Sequence, residues 1–142
     1  MPLPYASRGL HAYRQTEVQA STPLELVVML YDGALRFTAE ARAAIERGDI
    51  AARRTAIDRA LAIIIHLQST LDLEQGGGIA TDLHRLYDYV SRRLLDASMQ
   101  NAVVPIDDVS AVLRSLREGW QGAARGLTPA STPRPGAGSG AV

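Results

Sequence analysis

Between residues 22 and 47 the apolar positions fall into two stripes. At about 100° per residue, Leu24, Val27, Val28, Tyr31, Ala34, Leu35, Thr38, Ala41 and Ile45 share one broad face, the core stripe of an amphipathic helix. Leu26, Leu30, Gly33 and Phe37, at i, i+4, i+7 and i+11, line up beside it and leave Glu25, Asp32, Arg36 and Glu40 for water. A helix so patterned needs neighbours on two sides. Its start is well marked, because Thr22 is placed as an N-cap, Pro23 takes the first helical position, and Glu25 completes a T-x-x-E capping box. The helix is expected over 23–47, roughly 37 Å at 1.5 Å per residue, stopping at Gly48.

Asp49 then caps a second helix with Ile50, Ile57, Ala60, Leu61, Ile64, Leu67, Gln68 and Leu71 on its core face. Ile63, Ile64 and Ile65 cannot all sit on that stripe, since three successive residues span about 200° of the helix circumference. Ile65, beside Arg54 and Asp58, is the clearest outlier. The run DLEQGGG at 72–78 reads as a turn; no strand precedes it and no lysine follows, so it is not a phosphate loop. A third helix over 79–100 carries Ile79, Leu83, Leu86, Tyr87, Val90, Leu94 and Ala97 on one face, with Leu95 off it. Residues 101–105 break the pattern, and a fourth helix follows with Ile106, Val109, Val112, Leu113, Leu116 and Trp120 in a narrow stripe. The pairs Asp49/Arg53, Arg54/Asp58, Asp88/Arg92 and Arg114/Glu118, each at i, i+4, mark outer, solvated faces.

Four helices with short connections and no strand-like alternation predict an all-α, antiparallel up-down four-helix bundle. The expected organisation is a mobile N-terminal arm over 1–20, the bundle over 21–125, and a disordered tail over 126–142. In that tail Gly, Pro, Ser, Thr and Ala with one charge, Arg134, cannot offset the entropy of ordering. The arm carries three apolar anchors, Leu10, Tyr13 and Val18.

Composition removes chemistry. The 142 residues suit one domain, and 15 basic residues balance 15 acidic ones, so no global field attracts nucleic acid or anionic lipid. Every basic residue is arginine, which excludes lysine nucleophiles and the phosphate-binding lysine of nucleotide loops. Zero cysteines exclude disulfides and thiolate catalysis. No stretch has the length of a signal or membrane-spanning segment, so membrane insertion is not expected. His11, His66 and His84 have no metal-ligand spacing, and neither His66 nor His84 has a glutamate three residues before it, as a di-iron bundle would require. Asp107 and Asp108, adjacent on a helix and pointing about 100° apart, are better placed to favour the start of the fourth helix than to act as an acid–base pair. Arg85, Arg92 and Arg93 share a flank with Asp82, Asp88 and Asp96, whose charges cancel the field that phosphate recognition needs. No catalytic residue and no cofactor can be nominated. What remains is apolar surface: Leu26, Leu30 and Phe37 on the first helix, Ile63 and Ile65 on the second, Leu95 on the third, and Tyr13 of the arm are the candidate partner-binding residues.

Several short motifs, in this order and spacing, resemble those of the FliS family of flagellin-specific export chaperones. They are Tyr13-Arg14-Gln15, Ala20-Ser21-Thr22-Pro23, Leu30-Tyr31-Asp32-Gly33-Ala34, the helix over 57–71, Leu71-Asp72 followed by Gly76-Gly77, Leu86-Tyr87-Asp88-Tyr89, and Leu116-Arg117-Glu118-Gly119-Trp120. The similarity runs over 13–123. Gly78 departs from the family's frequent glutamate, and Ser98 from its common asparagine. The resemblance implies a cytosolic chaperone without enzymatic activity that holds the disordered C-terminal segment of flagellin, prevents premature polymerisation, and delivers it to a component of the flagellar type III export gate. It would act as a monomer or weak homodimer, without nucleotide or metal, and its arm around Tyr13 would cover a groove when no client is bound. The competing expectations are an oligomerising structural bundle, whose spare stripes pack against identical copies, and a regulatory helical adaptor.

Overall fold

Thr22 opens the first helix through reciprocal bonds. In the computed structural model, which describes residues 22–126, the Thr22 hydroxyl accepts from the Glu25 amide and the Glu25 carboxylate accepts from the Thr22 amide, each at 3.1 Å. Those bonds, the one from the Thr22 backbone foremost, hold the Glu25 carboxyl below its ordinary range. Helix α1 spans Pro23–Arg47 and ends at Gly48, whose φ of +74° is the left-handed conformation that glycine adopts without a Cβ penalty. Asp49 caps α2, Ile50–Ser69, by accepting from the Ala52 amide at 3.0 Å. The Asp72 carboxylate gathers the amides of Glu74 and Gln75 into a turn, and α3, Gly77–Gln100, starts two residues before the apolar pattern does. Asn101, at φ +50°, closes α3, and α4 runs over Val103–Gly126 with Pro105 in its first turn, where a missing amide hydrogen is harmless. Gly126 is thus helical. The arm over 1–20 and the tail over 127–142 lie outside the described residues.

Each helix packs on two others around a ring, α1 between α2 and α4, and α3 between the same two. Ion pairs fix the direction. Asp32 in the first half of α1 meets Arg117 in the second half of α4, and Arg42 near the end of α1 meets Asp107 near the start of α4 at 2.8 Å. This is the expected antiparallel up-down bundle, with no strand among the described residues.

The second stripe of α1 is where α2 lies. A Cβ added to Gly33 would stand 3.2 Å from the Ile63 Cδ1, so glycine here permits a close approach of the two helices. Ile63 is 2 % exposed and Leu30 9 %, both inside the core. Leu26 and Phe37 sit at the margin of the same seam, half-buried.

A polar network crosses the core. The hydroxyls of Tyr31 on α1 and Tyr87 on α3 bond each other at 2.5 Å, and the Trp120 Nε1 of α4 donates to the Tyr31 oxygen at 3.1 Å. Burial pushes both phenols up, Tyr31 further because Tyr87 lies beside it. Trp120, the last member of the α4 stripe, packs against the core and also supplies a donor.

Four expectations change. Arg53, assigned to an outer face with Asp49, is only 8 % exposed, because Asp49 is committed to the Ala52 amide and to Arg47; Arg53 Nη1 donates instead to Asn101 Oδ1 at 2.6 Å. Asp107 and Asp108 are clamps between helices, bonding Arg42 on α1 and Arg93 on α3. The Arg42 hydrogen bond holds the Asp107 carboxyl below its ordinary range. Ile50 and Ile79, read as core, are exposed because each sits in the first turn of its helix, at an end of the bundle. Residue 126, read as the first of the tail, ends α4.

Leu30→Ala should lower the unfolding free energy by about 2–5 kcal/mol in urea titrations, the cost of emptying a core position. Tyr31→Phe should lower it by about 1–3 kcal/mol, since the Trp120 donor and the Tyr87 hydroxyl lose their partner. Both phenols have raised folded values, so their contribution is complete below the unfolded value of 10.0 and is lost as pH rises above it. With neither lysine nor cysteine present, tyrosine is the side chain that titrates there. Circular dichroism should therefore show alkaline unfolding beginning above pH 10, less steeply dependent on pH in Tyr31→Phe.

Candidate functional site

Among the described residues no group of three or more His, Asp or Glu side chains could hold a metal ion, and no helix is long and apolar enough to cross a membrane. The site to be sought is a surface. Gln68 Nε2 of α2 donates to Asp88 Oδ1 at 2.8 Å and to the His84 carbonyl at 3.2 Å, tying α2 to α3 near one end. The Arg53–Asn101 bond ties them at the other. On α3, His84, Asp88, Leu95 and Met99 follow at i, i+4, i+11 and i+15, one helical row whose first two members border α2. On α2, Leu61, Ile65 and Gln68 follow at i, i+4 and i+7, and Gln68 borders α3.

The two rows therefore flank the outer groove between α2 and α3. Ile65 is 58 % exposed, Leu95 48 % and Met99 85 %, with Leu61 half-buried at the base. Ile50 and Val104 extend the apolar surface to the Asn101 end of the bundle, both exposed.

The outer groove between α1 and α2 is more polar. The Phe37 ring lies under the Arg36 guanidinium at 4.9 Å and near that of Arg59 at 5.7 Å. Beyond it opens a pocket of about 500 Å³ lined by alanines 43, 51, 52 and 56, Thr55, Glu40, Arg47, Asp49 and Arg59.

The structure thus separates the sequence-nominated residues. Ile65 and Leu95 face the same outer groove; Leu26 and Phe37 edge a different one; Leu30 and Ile63 are core; Tyr13 lies outside the described residues. Met99, Ile50 and Val104 were not nominated. Met99 was readable as i+4 from Leu95, whereas the exposure of Ile50 and Val104 depends on where neighbouring helices end. Arg93, read with Arg85 and Arg92 as a flank whose charge is cancelled by neighbouring acids, is committed to Asp96 at 3.2 Å and Asp108 at 2.7 Å.

Comparison with known proteins places the chain in a family. A family model described as flagellar protein FliS matches residues 6–126. The flagellar secretion chaperone FliS of Salmonella typhimurium is 39 % identical over 122 residues, covering 82 % of this chain and 90 % of the relative. The flagellar secretion chaperone FliSB of Pseudomonas aeruginosa is 37 % identical over 122 residues, covering 83 % and 97 %. A crystal structure of a bacterial flagellar chaperone superposes with a TM-score of 0.69 at 18 % identity, covering 84 % of this chain and 97 % of that one, which supports the fold. A four-helix bundle with apolar residues exposed on its surface, matched over nearly its whole helical region by these proteins, belongs to the FliS family of flagellar export chaperones.

Proposed function

We propose that the protein holds the C-terminal segment of flagellin in the cytosol, keeps it from premature polymerisation, and delivers it to the flagellar type III export apparatus. The observation that carries this reading is the apolar strip of Ile65, Leu95 and Met99 along the outer α2–α3 groove, left outside a core that is already filled. An unfolded segment with amphipathic helical potential has an apolar face to hide, and a groove between two helices accepts such a face by helix-in-groove packing. Ordering the segment costs several kcal/mol of the gross interaction, which keeps binding reversible for hand-over. None of this needs nucleotide, metal or a catalytic group. The arm around Tyr13 would cover apolar surface in the absence of client, and a component of the export gate would receive the complex.

The test is a calorimetric titration with a flagellin C-terminal segment. A 1:1 complex with a negative heat-capacity change is expected. Ile65→Asp and Leu95→Asp should each weaken binding by tenfold or more while changing the thermal midpoint far less than Leu30→Ala does, because about half of each side chain is already in water. Unaltered affinity in both variants would remove the groove from the account. Sedimentation of the protein alone separates this reading from an oligomerising bundle, which would grow with concentration and lose that growth in the same variants.

A further inference from the structure

Arg53 is a buried cation without a counter-ion. It is 8 % exposed, its Nε is sealed from solvent with no hydrogen-bond partner, and its Nη1 donates to the neutral Asn101 Oδ1 at 2.6 Å. Among the described residues no carboxylate stands within ion-pair distance of it, and Asp49, one helical turn before it, is engaged elsewhere. An arginine cannot relieve this by losing its proton. A buried charge in that condition is costly, and a partner's carboxylate would offset the cost.

We propose that Arg53, with Asn101 as its movable cover, is a carboxylate-recognition site at the Asn101 end of the α2–α3 groove, away from the loop that joins the two helices. It takes an acidic side chain at one end of the client segment's apolar face. The inference rests on the groove reading and deepens it. Asn101 is exposed and caps α3 in the left-handed conformation, so its side chain can leave Arg53 without disturbing a packed neighbour. Its Oδ1 holds the position of a carboxylate oxygen but carries no net charge to balance the guanidinium. An incoming carboxylate replaces the neutral acceptor with an ionised one, and side-on pairing uses Nε, the atom now unpartnered.

The surroundings select what the carboxylate is attached to. Ile50 lies one turn before Arg53 on α2, Met99 two residues before Asn101, and Val104 three residues after it; they are 60 %, 85 % and 62 % exposed. An acidic residue arriving here is flanked by apolar contacts that continue into Leu95 and Ile65. The site therefore gives the bound segment a direction, which an apolar groove alone does not specify.

The experiment is a titration of a flagellin C-terminal segment against the wild type, Asn101→Asp, Arg53→Gln, Ile65→Asp and Leu95→Asp. Aspartate tolerates the left-handed conformation and supplies a fixed carboxylate to Arg53. Asn101→Asp should therefore raise the thermal midpoint and weaken client binding at least tenfold. Changing the segment's acidic residues to their amides one at a time should identify one position whose change costs the wild type about tenfold and costs Arg53→Gln nothing. If Asn101→Asp binds within twofold of the wild type and no acidic position couples to Arg53, the carboxylate site is overturned. Should Arg53→Gln fail to fold, Asn101→Asp and the amide scan against the wild type still decide, because a scan with no sensitive position also overturns the site. Weakening by Leu95→Asp alongside that result leaves the groove reading standing; unchanged affinity in Leu95→Asp and Ile65→Asp removes both.

Discussion

Tyr31 is the constraint around which the bundle closes. It is fully buried, and its hydroxyl must find partners inside the protein because no water reaches it. The partners come from two other helices, Tyr87 of α3 diagonally across the core and Trp120 of α4 beside it. Indole can only donate and phenol can do both, so the three groups satisfy one another in this arrangement. A shift of α4 by one turn would leave both the indole donor and the buried phenol short of a bond. The network thus specifies how far along each other the helices lie, which apolar contacts alone specify weakly.

The remaining helix pair is set by size. Ala34, Ala41 and Ala44 of α1 and Ala56 and Ala60 of α2 are all at most 4 % exposed, and with Gly33 against Ile63 they let α1 and α2 approach closely. The other half of the core is filled by bulkier residues, Tyr87, Val90 and Leu94 of α3 with Ile106, Val109 and Leu113 of α4. Around the rim, Arg42–Asp107, Arg93–Asp108 and Asp32–Arg117 link α4 to both of its neighbours. Each pair is partly exposed, so its energy is small, but the like-charged contacts of a shifted register would be unfavourable. Because α2 spends its inner face on Ile57, Ile64 and Leu67 and its α1-facing side on Ile63, Ile65 has no place inside. On α3, Leu95 is excluded in the same way by Leu94.

Helix ends were legible because their chemistry is local: Thr22 with Glu25, Gly48 and Asp49 act within a turn of where they stand. The core stripes were legible because period 3.6 is geometric. What could not be read was which neighbour each stripe would meet. Leu30 and Ile63 were surplus to their own helices' main stripes, and only the close approach at Gly33 shows them packed in the α1–α2 seam. Arg53 looked like half of a surface pair because its i−4 neighbour is Asp49; that the capping of α2 would claim Asp49 depends on loop geometry. Ile65 and Leu95 were separately out of place in sequence, and the register fixed by Gln68 brings them to one groove.

A chaperone that binds its client by apolar packing works by surplus: it keeps apolar surface that its own fold does not need. In the proposed function that surplus is the outer α2–α3 groove, where Ile65, Leu95 and Met99 are exposed, and not the α1–α2 seam, where Leu30 and Ile63 are buried. Methyl-detected NMR of the full chain during addition of a flagellin C-terminal segment tests this most directly. The account predicts saturable shifts at the methyl groups of Ile65, Leu95 and Met99 with those of Leu30 and Ile63 unmoved. Shifts at Leu30 and Ile63 while Ile65, Leu95 and Met99 stay silent would contradict it.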